Sequence, residues 1–133
     1  MNSKVARKRI QTYVDGWKAN NIDLICEPLA GNCLIIESHG PKYHGLTNVK
    51  EWVQSWIKGT YKVDKWNITS FYFTRNTAIF EWEFAFSSSK SPSREIDGIS
   101  VVIFDTNKIS SLREYRTTKP LYNWRKNKKL STY

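Results

Sequence analysis

The chain has 133 residues, of which 40% are hydrophobic and 14% aromatic, so it is long and apolar enough to bury the core of one domain. It contains no apolar run of about 18 residues, which excludes an ordinary membrane-spanning helix. The basic residues near its start precede no apolar stretch of the kind that a signal peptide needs. We therefore expect one soluble, cytoplasmic domain over residues 1–133.

The net charge of +9 is concentrated at the two ends of the chain. Residues 4–9 hold four Lys and Arg, residues 119–129 hold five, and neither stretch contains an acid. The rest of the chain is balanced, with twelve basic and twelve acidic side chains. This distribution favours solvated termini, including a basic tail from about residue 119, over a groove that follows nucleic-acid phosphates. An anionic partner is the alternative.

Helical spacing of apolar residues dominates the first part of the chain. Positions 6, 10, 13, 14 and 17 are apolar and predict an amphipathic first helix that Ser3 caps. Asn20 and Asn21 end it, and Asp23 begins a short second helix. The two cysteines that follow, at positions 26 and 33, have no second pair with which to build a zinc site. Free, buried thiols are expected rather than the alternative of a disulfide, and a cytosolic compartment favours them further.

The middle of the chain predicts a short strand, a loop and a third helix. Residues 34–38 form the strand, and the Gly-Pro step within 38–45 indicates the loop. Asn48 and Glu51 have the spacing of a capping box, which predicts the start of the helix. Trp52 and Trp56 lie on one stripe of this helix, and they belong either to the core or to a pocket wall.

The second half of the chain reads as four consecutive strands, at 65–73, 77–86, 95–104 and 108–118. Turns are predicted at 75–76, in the run 87–94 and at 105–107. Three helices followed by a β-meander predict an α+β fold, in which N-terminal helices pack on a strongly curved, mostly antiparallel sheet that forms an open cone, a cystatin-like roll.

The third of these strands is apolar on both faces, with Ile99, Val101 and Ile103 on one side and Ile96, Val102 and Phe104 on the other. A sheet that is apolar on both faces needs a cover on each, and the helices supply one cover only. We therefore expect a homodimer joined through the sheet.

Several fixed points resemble one family. Tyr13 and Trp17 form an aromatic pair in the first helix, the loop before the third helix ends in Gly45, and residues 98–115 form a closing hairpin. From about residue 3 to residue 118 these features resemble the nuclear transport factor 2-like superfamily, particularly its SnoaL-like branch. The resemblance implies helices that close a deep pocket and, often, a dimer. The superfamily contains ketosteroid isomerases, polyketide cyclases, dehydratases, epoxide hydrolases and transport adaptors, so fold alone does not give function.

The ketosteroid isomerases offer a comparison by position. The resemblance puts Tyr13 or Trp17 at the place of their helical oxyanion donor and residues 37–39 at the place of their base. Ser100 stands where those enzymes have a protonated strand acid. Because a serine hydroxyl is a weaker donor than a carboxylic acid, this difference argues against steroid-type isomerisation.

Other side chains could provide acid–base chemistry in the same pocket. His39 follows the first strand, and its imidazole suits proton transfer at neutral pH. Glu114 and Arg116 alternate on the last strand on the face that the family turns inward, although they could instead form an exposed or interface pair. Glu81 and Glu83 share a strand face, where two enclosed carboxyls would make one a proton donor. The other interpretation is a solvated or interface face.

The sequence contains no phosphate loop, dinucleotide fingerprint, nucleophile elbow or Cys/His metal spacing, so no tightly bound cofactor or metal is expected. The first hypothesis is a SnoaL-like homodimer that binds a small organic molecule, either as a cofactor-independent isomerase, cyclase or dehydratase or as a binding protein only. The alternative is a non-enzymatic module whose basic ends bind an acidic protein or a nucleic acid. The predicted catalytic residues are His39, Glu81 and Glu114, and the predicted ligand contacts are Tyr13, Trp17, Trp56, Trp82, Ser100 and Arg116.

Overall fold

A computed structural model describes residues 1–126, in which three α-helices and six β-strands precede a single turn of 3-10 helix. Part of the predicted basic tail, residues 127–133, lies outside the described residues. The elements in chain order are α1 (Ser3–Lys18), α2 (Ile22–Cys26), β1 (Leu29–Glu37), β2 (Lys42–His44), α3 (Leu46–Lys58), β3 (Lys62–Thr74), β4 (Thr77–Ser88), β5 (Ser91–Asp105), β6 (Lys108–Arg116) and the 3-10 turn Trp124–Lys126.

Asparagine side chains cap the first two helices, and this differs from the sequence prediction. The side-chain oxygen of Asn2 accepts a hydrogen bond from the Val5 amide at 2.9 Å, so Ser3 is the first helical residue and not the cap. Asn21 does the same for the Leu24 amide at 3.1 Å. Either carbonyl satisfies an amide that the first helical turn leaves free.

The predicted capping box of the third helix is wrong. α3 begins at Leu46, and Gly45 precedes it with a φ of +84°, a conformation that favours glycine. Asn48 already lies inside the helix, where its side-chain amide donates to the His44 carbonyl oxygen at 2.7 Å. Residues 42–44, predicted as loop, form the short strand β2 against β1.

The six strands form one sheet in the order β2-β1-β6-β5-β4-β3. All neighbouring pairs are antiparallel except β1 and β6, which are parallel. The predicted α+β fold with a mostly antiparallel curved sheet is therefore confirmed. The strands of the β4–β5 hairpin are longer than predicted, because β4 continues to Ser88 and β5 begins at Ser91, within the run that the sequence marks as a turn.

The core lies between the helices and one face of the sheet. In β4 this face carries Ala78, Phe80 and Trp82, which join the buried residues of α1 in one cluster. Cys26 and Cys33 are free and buried, as predicted. Within the described residues, none of the helices has the length and apolarity needed to cross a membrane.

Candidate functional site

A cavity of about 290 Å³ opens on the inner side of the sheet beside α1 and α3. Its walls are mainly aromatic and include tyrosine hydroxyls and indole N–H groups, and its other polar groups are two carboxyls, one imidazole and one guanidinium. The lining residues are Tyr13, Trp17, Glu37, His39, Trp52, Trp56, Tyr61, Trp66, Trp82, Phe84, Phe86, Ile96, Glu114 and Arg116. The volume is close to the lower end of the range for small-molecule sites.

Helical spacing places three of the tryptophans together. Trp52 and Trp56 are four residues apart on α3 and face Trp17 of α1, with ring centroids 4.7 and 5.8 Å from it. Both α3 tryptophans are only partly buried and line the cavity, so the pocket-wall interpretation of this stripe applies. Asn20 fixes Trp56 by accepting a hydrogen bond from its indole nitrogen at 3.2 Å.

The sheet side of the cavity depends on how Trp82 lies across β5. Its indole N–H donates to the Ser100 hydroxyl oxygen at 2.8 Å. Its ring occupies the space above Gly98, where a Cβ atom would lie 2.3 Å from the nearest ring carbon. Gly98 and Ser100 thus hold the ring of Trp82 in place. Ser100 itself is fully buried and does not line the cavity.

Two glutamates lie side by side in the cavity. Glu37 ends β1, Glu114 lies in β6, and these neighbouring parallel strands pair the two residues directly. Both side chains face the cavity. The Tyr43 hydroxyl donates a hydrogen bond to Glu37 at 2.8 Å. The Glu114 carboxyl accepts no hydrogen bond and forms no ion pair within residues 1–126.

This environment favours the neutral form of Glu114. Burial and the charge of Glu37 raise the pKa of Glu114 to about 8. Burial also raises the pKa of the Tyr13 hydroxyl well above its usual value, and the charge of Glu114 adds to this shift. At neutral pH the Glu114 carboxyl is therefore protonated. The Tyr13 hydroxyl is neutral as well, and it can donate or accept a hydrogen bond.

Three buried donors beside the cavity have no acceptor among the described residues. They are the Tyr13 hydroxyl and the indole nitrogens of Trp17 and Trp66, all in side chains that line the cavity. The Trp17 N–H lies near enough to the Tyr13 hydroxyl to affect its pKa slightly, but the two atoms do not have hydrogen-bond geometry. An unsatisfied buried donor typically costs about 1–3 kcal/mol, so an acceptor supplied by a ligand would relieve it.

Most of the predicted site residues come together. His39, in the turn after β1, and Arg116, at the end of β6, are exposed residues that line the cavity with Glu114. Arg116 is not paired with Glu114, although the sequence suggested that pair. The tryptophans at positions 17, 56 and 82 line the cavity with Tyr13.

Glu81 is placed elsewhere. Strand alternation puts Phe80 and Trp82 inside, so Glu81 is exposed on the outer face of the sheet, where it accepts a hydrogen bond from Ser70 at 2.7 Å. Glu83 lies on the same outer face. The pair therefore has the solvated or interface position that the sequence left open as the alternative.

The predicted catalytic and ligand-contact residues did not include Glu37, Tyr43 and Trp66, although the family comparison placed residues 37–39 at the position of the base. Alternation along β1 was the available signal for Glu37, because Cys33 and Ile35 are buried and Glu37 follows in the same register. Tyr43 had no comparable signal, since its segment reads as a loop. Across residues 1–126, no group of three or more His, Cys, Asp and Glu side chains is arranged to hold a metal ion.

No protein-family model and no curated protein matches this sequence. Solved structures do match its fold. An LEH-like epoxide hydrolase from M. tuberculosis is 11% identical, with a TM-score of 0.77 over 86% of this chain and 84% of that one. An NTF2-like protein of unknown function from Burkholderia pseudomallei is 9% identical, with a TM-score of 0.75 over 89% and 93%.

A third similar structure is a hypothetical protein with a ketosteroid isomerase-like fold from Catenulispora acidiphila, in complex with trimethylamine. It is 13% identical and gives a TM-score of 0.71 over 83% of this chain and 85% of that one. Identities this low establish fold and not activity. Together with the helix order and the curved sheet, they show that this chain has the nuclear transport factor 2-like cone fold.

Proposed function

We propose that this protein binds a small organic molecule in the aromatic cavity and exchanges a proton with it through the Glu37–Glu114 pair. The reaction class is a cofactor-independent isomerisation, cyclisation or dehydration. The observation that carries the proposal is the pairing of these two carboxyls inside a mostly aromatic cavity, with the pKa of Glu114 raised to about 8. General acids and bases work best with a pKa near the operating pH.

The cavity itself supports binding of an organic ligand. Its apolar walls would cover the ligand, while Tyr13, Trp17 and Trp66 offer donors that have no acceptor in the described protein. The similar proteins also support it, because the Catenulispora structure contains trimethylamine and the M. tuberculosis protein is an epoxide hydrolase. This fold accommodates small organic molecules in those proteins.

A carbonyl compound illustrates the chemistry. One carboxylate takes the proton from the carbon next to the carbonyl group, and the electron pair of that C–H bond moves toward the carbonyl oxygen. The protonated carboxyl, or the neutral Tyr13 hydroxyl, donates to that oxygen as its charge develops. In an unsaturated ketone, return of the proton to a different carbon of the conjugated enolate completes an isomerisation. In a β-hydroxy carbonyl compound, a carboxyl protonates the hydroxyl group, the C–O bond breaks and water leaves, which completes a dehydration.

The test uses cyclic ketones and enones as probe compounds in D₂O. Binding is followed by intrinsic fluorescence, since five of the six tryptophans line the cavity. Proton exchange is followed by ¹H NMR as loss of the signal from the carbon next to the carbonyl group. We expect exchange above the buffer rate, and a loss of about 10²-fold or more in Glu114→Gln and in Glu37→Gln.

Glu81→Gln is the matched control, because Glu81 is an exposed glutamate on the other face of the sheet. It should exchange as fast as the unchanged protein. If the probes bind without proton exchange, the catalytic part of the proposal is wrong and the protein only binds its ligand. Absence of both binding and exchange across the probe set would contradict the proposal.

A second proposal concerns assembly: two copies pair through the outer face of the sheet. Ile99 and Tyr115 are partners on neighbouring strands of this face, and 37% and 44% of their surfaces are exposed. Val101 and Ile103 extend the apolar surface along β5. Apolar strand faces of this kind usually have a cover. The cavity lies on the inner side of the sheet and this surface on the outer side, so the two proposals are independent.

A further inference from the structure

The two cavity carboxyls differ in their hydrogen bonding, and Tyr43 causes the difference. Its hydroxyl donates to Glu37 at 2.8 Å. No described residue donates to the Glu114 carboxyl. A donor stabilises the ionised form of a carboxyl, and a bond to a charged acceptor is stronger than one between neutral groups.

Two contacts hold Tyr43 in the position from which it reaches Glu37. Its strand, β2, pairs with β1 so that Tyr43 lies opposite Ile35, two residues before Glu37. Its ring stacks on Trp52 with centroids 3.9 Å apart and planes 9° apart. Trp52 also contacts Trp17 and lines the cavity. The hydroxyl direction is therefore set by the fold and not by solvent.

The geometry points to a fixed division of roles, and we propose that Tyr43 is a positioning residue that keeps Glu37 ionised, so that Glu37 acts as the base and Glu114 as the acid. This inference rests on the proposed function. It goes beyond it by assigning the base to Glu37 and by naming the residue whose hydrogen bond favours the ionised form of that carboxyl.

The other groups that face the pair do not remove this asymmetry. They are the Tyr13 hydroxyl from α1, the His39 imidazole from the turn after β1, and the Arg116 guanidinium from β6. None of them forms a hydrogen bond or an ion pair with either carboxyl in the described structure. The side chains that α3 contributes to the cavity, Trp52 and Trp56, carry no charge.

The experiment measures where the proton lies. Carbon-13 NMR of the glutamate carboxyls at pH 6.5 separates the ionised from the protonated form, and Glu37→Gln and Glu114→Gln assign the signals. In the unchanged protein we expect Glu114 to be protonated and Glu37 ionised. In Tyr43→Phe the ring and its stacking remain while the donor is lost. When the spectra are repeated across the pH range, the Glu37 signal of this variant should therefore change at a pH about one unit higher than in the unchanged protein.

Tyr61→Phe is the matched control. Tyr61 also lines the cavity and stacks on a tryptophan of α3, at 5.0 Å from Trp56, but its hydroxyl bonds to neither carboxyl. This variant should leave both signals in place. A second readout is the pH profile of probe exchange: Tyr43→Phe should move its acidic limb to higher pH and leave its basic limb, whereas a purely structural role would lower the whole profile.

The outcomes separate this inference from the proposed function. If the proton lies on Glu37 in the unchanged protein, or if Tyr43→Phe leaves the pH dependence of the Glu37 signal unchanged, the role of Tyr43 is wrong while the carboxyl pair can still exchange protons. If both carboxyls are ionised at pH 6.5, the acid of the proposed function fails as well. The first measurement does not use Tyr43→Phe, so poor folding of that variant does not prevent the test.

Discussion

At the residue scale, the protonation state of Glu114 makes the stability of the folded protein depend on pH. Its pKa is about 8 in the folded chain against 4.5 for an unperturbed carboxyl, so between these pH values the folded state binds a proton that the unfolded state has lost. The raised pKa of Glu114 therefore adds to the free energy of unfolding. This added stability is fully present below about pH 4.5 and is lost as the pH rises through about 8. The unchanged protein should therefore become less stable across this window.

Glu114→Gln removes this titration while keeping the side-chain shape. We expect the variant to be the more stable protein at pH 8.5 by a few kcal/mol, and to lose this advantage at pH 5. The comparison is made by urea denaturation at both pH values. Glu81→Gln, on the outer face, should keep the pH dependence of the unchanged protein. Equal pH dependence in Glu114→Gln and the unchanged protein would mean that Glu114 titrates normally.

Gly98 is the second residue whose role can be tested. An alanine here would put Cβ 2.3 Å from the Trp82 ring and 2.5 Å from the Tyr115 carbonyl oxygen, so the indole must leave its place over β5. We expect a destabilisation of about 1–3 kcal/mol and a changed tryptophan fluorescence spectrum, because the ring is forced toward the cavity. Gly31→Ala is the control, since no atom lies within 4 Å of the Cβ that it adds. A Gly98→Ala protein as stable as this control would refute the packing argument.

At the element scale, the contact between α1 and α2 depends on a glycine. Gly16 is buried, and a Cβ there would lie 2.6 Å from the backbone nitrogen of Ile25. The backbone of α2 cannot yield as a flexible side chain can. We therefore expect Gly16→Ala to cost about 1–3 kcal/mol although alanine is the better helix former. Urea denaturation against Gly31→Ala measures the effect, and a stabilised Gly16→Ala variant would show that the helices can separate without penalty.

Elements with a strong local pattern were predictable. The apolar stripes of α1 and α3 and the alternation in β4 predicted the right element types and the right residues on each face, because side-chain direction follows directly from backbone periodicity. The sequence left open which face of β4 looks inward, and packing against the helices decides it. The strand at residues 42–44 was not predicted, because three residues are too few to show the alternation of apolar and polar side chains that is typical of a strand. Their strand conformation depends on pairing with β1. The start of α3 was missed because Gly45, not a side-chain cap, precedes it.

At the scale of the whole molecule, the outer sheet face predicts the assembly state. A charge on the partners Ile99 and Tyr115 would be buried in a sheet-to-sheet dimer. We expect the unchanged protein to have a dimeric mass at micromolar concentration, and Ile99→Lys with Tyr115→Glu to have a monomeric one, as measured by light scattering. Val5→Lys, on the exposed side of α1, should remain dimeric. A monomeric unchanged protein contradicts the assembly proposal.

The basic ends lead to a separate expectation. Leu121, Tyr122 and Trp124 are exposed, and the Arg125 guanidinium lies 4.7 Å from the centre of the Trp124 ring. An aromatic and basic tail of this kind could stack on single-stranded nucleic acid. The balanced charge of the body favours a solvated tail, so we expect no binding of labelled single strands near physiological salt. Tight, salt-dependent binding that deletion of residues 125–133 abolishes would instead support the interaction-module alternative.

The sequence by itself determined the order of the main elements, the residues that share each face of β4 and the aromatic character of the pocket, because each follows from local periodicity and composition. It did not determine which face of β4 looks inward. Tertiary structure alone decided that Glu37 meets Glu114, that Tyr43 reaches Glu37 and that Trp82 lies over Gly98. The first two contacts depend on strand pairings that join β1 to β6 and to β2. The packing of the whole sheet decides which strands pair. The spacing of apolar residues within one strand does not indicate which other strand lies beside it.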